Sequence, residues 1–321
     1  MASHSLQIRV RAPGLLTTVQ DLGRLGYAHL GFSPCGAGDR VATRIANRLV
    51  GNPDGAPVLE ITLLGPTLEF SGNALVSVTG SSIECSLDGQ SFPAWQPIEV
   101  PSGSVLRLGN TVEHARSYLA VAGTPQAEPV LGSFSTDLGA KVGPFFARQL
   151  AAGDVLTWQS PDRVAEYVAE REVISRLYAD GPLRVTLGPH REWFAPQVER
   201  QFFSSKYVVT HQSNRAGLRL RGEPLALPSN EHLLTEGVPL GAIQVPGNGQ
   251  PVILFVDQQT TGGYPIVGSV ISADLHRVGQ LLPESEVSFV QVSMAQAWDA
   301  RRNLEGLLQE AVREVAREAE H

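Results

Sequence analysis

The chain has 321 residues, a net charge of −7 and only two cysteines, which together indicate a globular protein of about two domains. The negative charge argues against a general nucleic-acid or anionic-membrane surface, and the cysteines are too few for a disulfide framework or a cysteine zinc site. No apolar run approaches the ~20 residues that span a membrane, and the N-terminus lacks a secretory signal pattern, so we expect a cytoplasmic protein. Lys141 and Lys206 are the only lysines, which excludes a lysine-bearing phosphate loop and leaves arginine to meet any anion.

The first predicted element is a half-buried strand over residues 6–11, where apolar and polar residues alternate. It leads into a polar, glycine-punctuated segment over residues 14–27. Gln20, Asp21 and Arg24 in this segment are candidate substrate-binding residues. The same side chains can instead cap one another in a well-satisfied turn, and both interpretations stay open.

The first clear helix is predicted over residues 39–50, with Asp39 as its N-cap. Its predicted buried face consists of apolar residues at four-residue spacing: Val41, Ile45 and Leu49. Arg44 and Asn47 lie three residues apart on the other side, where they can reach a ligand together or form part of a solvated face.

From residue 58 onward the pattern changes to short strands separated by turn residues. They are predicted over residues 59–63, 67–70, 74–79, 83–87 and 105–108. Strands at this density, without alternating helices, favour an antiparallel barrel or sandwich over a doubly wound sheet. Similar turn-then-strand segments at residues 101–108, 152–158 and 283–289 favour two related β units.

The charged stretch around residues 162–180 separates these units. We therefore predict four regions: an N-terminal β domain (residues 1–160), a linker (161–182), a C-terminal β domain (183–292) and a C-terminal amphipathic helix (293–321). The helix has one predicted apolar face, formed by Leu304, Leu308, Ala311 and Val315.

Polar residues recur between the strands of the second β domain. His190 follows a strand and a Gly-Pro turn, where it is either a general base or a surface or capping residue. Glu236 and Gln244 lie in the polar stretch over residues 235–246.

The most informative stretch is VILFVDQQTTGGYP, residues 252–265, in which a buried-looking strand ends directly at Asp257. A core strand has no structural use for Asp, Gln, Gln, Thr and Thr in succession, so the run indicates a site. Asp257 and Gln259 are candidate catalytic residues, and Thr260 and Tyr264 candidate substrate-binding residues. The alternative is an ordinary connection decorated with hydrogen-bonding side chains.

Short segments throughout the chain resemble the biotin-dependent carboxyltransferase family, also called allophanate hydrolase subunit 2-like. They are GLLTTVQDLGR (residues 14–24), ANRLVGN (46–52), LEIT (59–62), YLAVAG (118–123), GSFSTD (132–137), GAIQVP (241–246), DQQTTGGYP (257–265) and ISADL (271–275). The resemblance covers about residues 6–292, and the order of the segments makes it more specific than any one of them. It implies two cyclophilin-like β-barrel domains. The C-terminal amphipathic helix lies outside the resemblance, and together with a few short helices it completes the mainly β fold that we predict.

The resemblance also implies an activity, as one subunit of a complex that uses ATP to activate the lactam of 5-oxoproline for cleavage to L-glutamate. Its implied partners are a smaller, allophanate hydrolase subunit 1-like chain and a lactam-hydrolysing subunit. ATP and Mg²⁺ would be shared with a partner. Neither Met1 nor Met294 flanks a lysine, so no covalently attached biotin is expected.

Under that hypothesis, Gln259, Thr260 and Arg24 would hold the oxygen and carboxylate of the substrate. Asp257 or Glu236 would handle a proton or magnesium. Two other functions stay open: a carboxyltransferase subunit acting on urea or a similar small amide, with biotin carried elsewhere, and a non-enzymatic regulator that binds a kinase-inhibitor-like partner.

Overall fold

A computed structural model describes residues 3–162, 164–227 and 233–315 of the chain. The chain divides into two compact units. Unit 1 comprises Met1–Arg24, Asp39–Leu177 and Gly306–His321, and unit 2 comprises Leu25–Gly38 and Tyr178–Glu305. The units are thus not continuous in sequence, which differs from the division at residues 161–182 expected from composition.

Unit 1 is built from antiparallel strands. In chain order they are β1 (Ser3–Ala12), β2 (Leu16–Gln20), β3 (Val58–Thr62), β4 (Thr67–Phe70), β5 (Ala74–Gly80), β6 (Ile83–Leu87), β7 (Gln90–Ser91), β8 (Pro97–Val100), β9 (Val105–Thr111), β10 (Arg116–Val121), β11 (Thr124–Pro125), β12 (Val155–Pro161) and β13 (Tyr167–Ala169). Among the described residues, seven strands form a sheet in the order β11-β12-β1-β4-β9-β6-β7 and five form a second in the order β2-β3-β10-β5-β8. Both sheets contribute to one apolar core, which includes Leu6, Ile8, Phe70, Val76, Leu119 and Trp158.

Helix α1 (Arg40–Leu49) confirms the predicted first helix and its cap. Asp39 Oδ1 accepts a hydrogen bond from the Ala42 N–H at 2.9 Å, which satisfies one of the unpaired donors at the helix start. The predicted apolar face is buried, at Val41, Ile45 and Leu49. Thr79 of β5 donates to the Ala42 carbonyl at 2.8 Å and so holds the helix against the second sheet. A second helix, α2 (Arg171–Leu177), lies in the predicted linker.

Unit 2 contains a closed barrel and a separate two-stranded sheet. The strands of unit 2 are β14 (Leu183–Leu187), β15 (Lys206–Val209), β16 (Gly217–Arg221), β17 (Glu236–Gly237), β18 (Ala242–Gln244), β19 (Val252–Leu254), β20 (Thr261–Gly262), β21 (Ile266–Val270) and β22 (Glu286–Gln291). Seven of them close the barrel in the order β14-β21-β18-β19-β16-β15-β22. Strands β17 and β20 pair only with each other as a separate two-stranded sheet, called the ribbon below. Helices α3 (Pro196–Ser204) and α4 (Leu275–Gly279) complete the unit.

The C-terminal helix is shorter than predicted. Helix α5 (Met294–Glu310) ends before strand β23 (Val312–Glu314), which pairs antiparallel with β13. The buried Ala311 and this backbone pairing stop the helix, because tertiary hydrogen bonds outweigh local helix propensity. The end of the predicted helix, residues 316–321, lies outside the described residues.

The prediction of a mainly β fold with few helices is confirmed: the described residues contain five α-helices against 23 strands. No helix in the described ranges is long and apolar enough to cross a membrane.

Candidate functional site

The carboxylate of Asp257 is held by an arginine. Arg215 Nε donates to Asp257 Oδ2 at 2.7 Å and Arg215 Nη2 donates to Oδ1 at 2.9 Å, a bidentate arrangement. Only 5% of the Arg215 side chain and 11% of the Asp257 side chain are exposed. Cys35 Sγ also donates to Oδ1 at 3.1 Å, and Arg215 Nη2 donates to the Gly36 carbonyl at 2.8 Å. Asp257 therefore ties the loop after β19 to the early segment, residues 25–38, of the same unit.

Glu236 lies on the ribbon and faces a buried histidine. Glu236 Oε1 is 3.1 Å from His190 Nε2, with 44% of the Glu236 side chain exposed against 8% for His190. His190 Nδ1 accepts the Ile266 N–H at 3.1 Å, so the proton of the neutral ring is on Nε2, which donates to the carboxylate. Glu236 is thus a solvent-accessible carboxylate held by a fixed donor, which suits it to handle a proton.

The sequence left His190 open between a general base and a surface or capping residue, and the structure places it, buried, against Glu236. A histidine after a Gly-Pro turn has the same local sequence whether it caps the turn or faces a carboxylate 46 residues later in the chain. In the sequence, the only indication of a site at His190 was its position directly after the end of a strand.

Three glutamines surround the ribbon. Gln258 Nε2 donates to the Val238 carbonyl at 3.0 Å. Gln259 Nε2 donates to Gln244 Oε1 at 3.4 Å. Gln244 and Gln258 are buried, whereas Gln259 is exposed. We refer to His190, Glu236, Gln244, Gln258 and Gln259 as the ribbon site.

The two remaining predicted residues of this loop lie at the edge of the ribbon. The Thr260 carbonyl accepts the Val238 N–H at 3.1 Å, and the Thr260 side chain is half-buried. Tyr264 is 50% exposed, so its ring is available to a ligand. The structure therefore brings five predicted residues to one side of unit 2: Glu236, Gln244, Gln259, Thr260 and Tyr264.

The predicted site residues of the polar segment over residues 14–27 form hydrogen bonds within unit 1. Gln20, Asp21 and Arg24 all bond to residues 130–137 of unit 1. Asp21 Oδ1 accepts the Ser135 hydroxyl at 2.5 Å, Arg24 Nη2 donates to the Ser135 carbonyl at 2.9 Å, and Gln20 Nε2 donates to another carbonyl of the segment at 3.0 Å. These long-range bonds differ from both sequence interpretations, because the side chains bond to a distant segment of unit 1 and not mainly to one another. Arg24 keeps one nitrogen, Nη1, without a partner among the described residues.

Arg44 and Asn47 likewise form hydrogen bonds to the segment that follows helix α1. Arg44 Nε and Arg48 Nε donate to the two carboxylate oxygens of Asp54 at 2.8 and 2.6 Å. Asn47 Nδ2 donates to the Ala56 carbonyl at 2.7 Å. Burial raises the pKa of Asp54, but hydrogen bonds from Arg48 and Arg44 outweigh burial and hold the pKa below its usual range. We therefore assign Arg44 and Asn47 a structural role in unit 1.

Replacing Asp54 by Asn is expected to destabilise the protein by about 1 kcal/mol near neutral pH, because two arginines lose their anion. A carboxyl with a lowered folded-state pKa stabilises the protein above its unfolded pKa of about 3.9, and this stabilisation is lost as pH falls through the folded pKa. The gap in melting temperature between wild type and Asp54→Asn should therefore close below about pH 4. Glu128→Gln, which alters an exposed carboxylate outside this network, should show no such convergence; a gap constant down to pH 2.5 contradicts the assignment.

Among the residues that the structure describes, no three His, Cys, Asp or Glu side chains gather in a way that could hold a metal ion. The site consists instead of one accessible carboxylate, one neutral imidazole and several amides. Such groups bind and orient a small polar molecule and move a proton on it.

Comparison with known proteins defines the class of this fold and site. The chain belongs to the carboxyltransferase domain family (subdomains A and B), which it matches over residues 30–291. This confirms the family resemblance of the sequence segments.

Its relatives fall into two groups. It is 38% identical over 296 residues to a subunit of 5-oxoprolinase from Escherichia coli (strain K12), covering 92% of this chain and 94% of that protein. It is 35% identical over 310 residues to urea amidolyase of Saccharomyces cerevisiae, covering 89% of this chain and 17% of that protein. Among solved structures, K. lactis urea amidolyase superposes with a TM-score of 0.89 at 31% identity, covering 96% of this chain and 20% of that one.

Proposed function

We propose that this chain is a subunit of an ATP-dependent 5-oxoprolinase complex that activates the lactam of 5-oxoproline for cleavage to L-glutamate. The observation that carries the proposal is the match to the E. coli 5-oxoprolinase subunit, which covers 92% of this chain and 94% of that protein. The Haemophilus influenzae protein of the same name also matches over 90% of this chain and 92% of its own length. A match over nine-tenths or more of both chains supports a shared role in such a complex.

The urea amidolyases support a second candidate. Their fold similarity is high, at a TM-score of 0.89, but this chain spans only about a fifth of that protein. A carboxyltransferase subunit that acts on urea or a similar small amide, with biotin carried by another chain, would also use an amide-binding site. Urea and a lactam share the carbonyl and N–H that the ribbon site is equipped to contact.

We propose the following roles for the ribbon site. An amide is a poor electrophile because its nitrogen lone pair is delocalised onto the oxygen, and transfer of a phosphoryl group from ATP to that oxygen would overcome this. Glu236 takes the lactam N–H proton as the oxygen becomes a nucleophile, and His190 keeps the carboxylate in place. Gln259, Thr260 and Tyr264 orient the ring. Asp257 is a structural acceptor, because Arg215 and Cys35 already occupy its oxygens.

The complex supplies what this chain does not offer by itself. We propose that ATP and Mg²⁺ are shared with a smaller, allophanate hydrolase subunit 1-like partner, and that a third subunit hydrolyses the activated lactam. Arg24 Nη1 stays a proposed anion contact of unit 1. A cytoplasmic location remains a prediction.

Turnover is expected to require the partner. The purified chain with its partner subunit, ATP and 5-oxoproline should release ADP, whereas the chain alone should release none above background, because activating groups are contributed by the other subunit. The lactam-hydrolysing subunit is then added and glutamate is measured. Parallel reactions with urea, bicarbonate, ATP, a biotin carboxylase and a biotin carrier, in which the carboxylase forms the carboxybiotin donor, test the second candidate. Robust turnover by the verified pure chain contradicts partner dependence, and turnover of urea alone overturns the 5-oxoproline assignment.

A further inference from the structure

Two glutamines of the ribbon site each have one side-chain polar atom that finds no hydrogen-bond partner among the described residues. Gln244 is 2% exposed and Gln258 is 3% exposed. Gln258 uses Nε2 on the Val238 carbonyl, so its Oε1 is left over. Gln244 uses Oε1 to accept from Gln259, so its Nε2 is left over. A buried polar atom without a partner is destabilising, and the bonds already made determine which atom is free in each amide.

Both glutamine side chains lie beside Val238, the residue that follows ribbon strand β17. A Cβ atom at Gly262 would stand 2.5 Å from Gln244 Nε2 and 3.3 Å from Val238 Cγ1. Val238 is also the residue whose carbonyl Gln258 holds. The absence of a side chain at Gly262 therefore leaves room beside Gln244 Nε2, and any other residue at this position would occupy that room.

One free donor and one free acceptor match the two polar atoms of an amide. A carbonyl oxygen accepts and an N–H donates, and both point the same way only when the amide is cis, as a small lactam ring requires. A trans secondary amide presents them on opposite sides. The pair is therefore suited to a lactam and poorly suited to an ordinary peptide bond.

We propose that, when a lactam first binds, Gln244 Nε2 donates to its carbonyl oxygen while Gln258 Oε1 accepts from its N–H, the hydrogen that Glu236 removes later in the reaction. This inference rests on the proposed function and identifies the two residues that recognise the lactam. Both atoms are buried, so the proposal requires that the ribbon, a sheet separate from the barrel, moves to admit the ligand. Gln258 thereby becomes a specificity-determining residue.

The test compares two ring probes of similar shape. The probe 2-pyrrolidinone has both the carbonyl and the N–H, whereas γ-butyrolactone has the carbonyl and a ring oxygen in place of the N–H. Titrations of the full chain, followed by NMR, should show about tenfold tighter binding of the lactam, because the lactone faces Gln258 Oε1 with a second acceptor. Gln258→Met should abolish that preference. Gln244→Met should weaken both probes equally and keep the preference.

Two further variants make the result decisive. Gln126→Met, an exposed glutamine of unit 1, should leave both affinities unchanged. If Gln258→Met does not fold, Gln258→Glu serves instead: it keeps an acceptor and should retain the lactam preference. A preference that survives in folded Gln258→Met, or a wild-type chain that binds the two probes alike or neither, overturns the inference.

The outcome is separable from that of the proposed function. Lactam preference without turnover of 5-oxoproline by the complex would reject only the assigned reaction. Turnover of 5-oxoproline by the complex, without a preference for the lactam probe that depends on Gln258, would reject only the proposed recognition of the amide by Gln244 and Gln258.

Discussion

Replacing Arg215 by Met should lower the free energy of unfolding by about 3–5 kcal/mol. The arginine and Asp257 side chains are only 5% and 11% exposed, so the variant leaves a carboxylate buried without its cation. It also removes the bond from Arg215 to the Gly36 carbonyl, which holds residues 25–38 in unit 2. Urea denaturation followed by circular dichroism measures the loss.

Arg219→Met is the matched control, since Arg219 is an exposed arginine on the adjacent strand and should cost less than about 0.5 kcal/mol. The double variant Arg215→Met with Asp257→Leu should be less destabilised than Arg215→Met, because it removes the uncompensated charge. Equal stability of Arg215→Met and wild type would show that the ion pair is not structural.

Asp257→Asn separates the two roles first considered for that residue. It keeps the shape and one acceptor oxygen, so a structural acceptor should lose about 1–2 kcal/mol while the folded complex keeps most of its activity. A loss of ~100-fold in turnover with unchanged melting would return Asp257 to the catalytic residues.

Glu236→Gln should reduce the turnover of 5-oxoproline by the complex about 100-fold or more, with little change in melting temperature. The carboxylate is 44% exposed, so its charge contributes little to folding, and a glutamine oxygen still accepts from His190. What is lost is the group that takes up a proton. The measurement is ADP release by the complex at saturating ATP, together with thermal melting of the variant.

Glu284→Gln is a close control because Glu284 is also an exposed glutamate beside a histidine, with Oε1 3.5 Å from His211 Nε2. It lies outside the ribbon site, so turnover should not change. Near-normal turnover of folded Glu236→Gln would remove the carboxylate from the mechanism and leave binding by the amides as the role of this site.

Local patterns in the sequence were enough to predict the first strand and the first helix. Alternation placed the strand over residues 6–11, where Leu6, Ile8 and Val10 are buried, and the Asp39 cap placed the first helix. These features depend on period and on neighbours within about four residues, so they can be read without a fold. Ordered segments spread over the chain were likewise enough to indicate the family.

The roles of the polar residues depended on contacts between distant parts of the chain. Asp257 and Gln259 look equally functional in sequence, yet Asp257 is occupied by Arg215, 42 residues away, while Gln259 is exposed at the ribbon. His190 gained a role only from its bonds to Glu236 and Ile266.

Secondary structure also depended on distant contacts. The sequence over residues 312–314 continues a helical pattern, but these residues form strand β23, which pairs with β13. A run of polar residues has the same composition whether it caps its own backbone or binds a ligand. The free energy that distinguishes the two comes from partners brought close by folding, and those partners have no regular spacing along the chain.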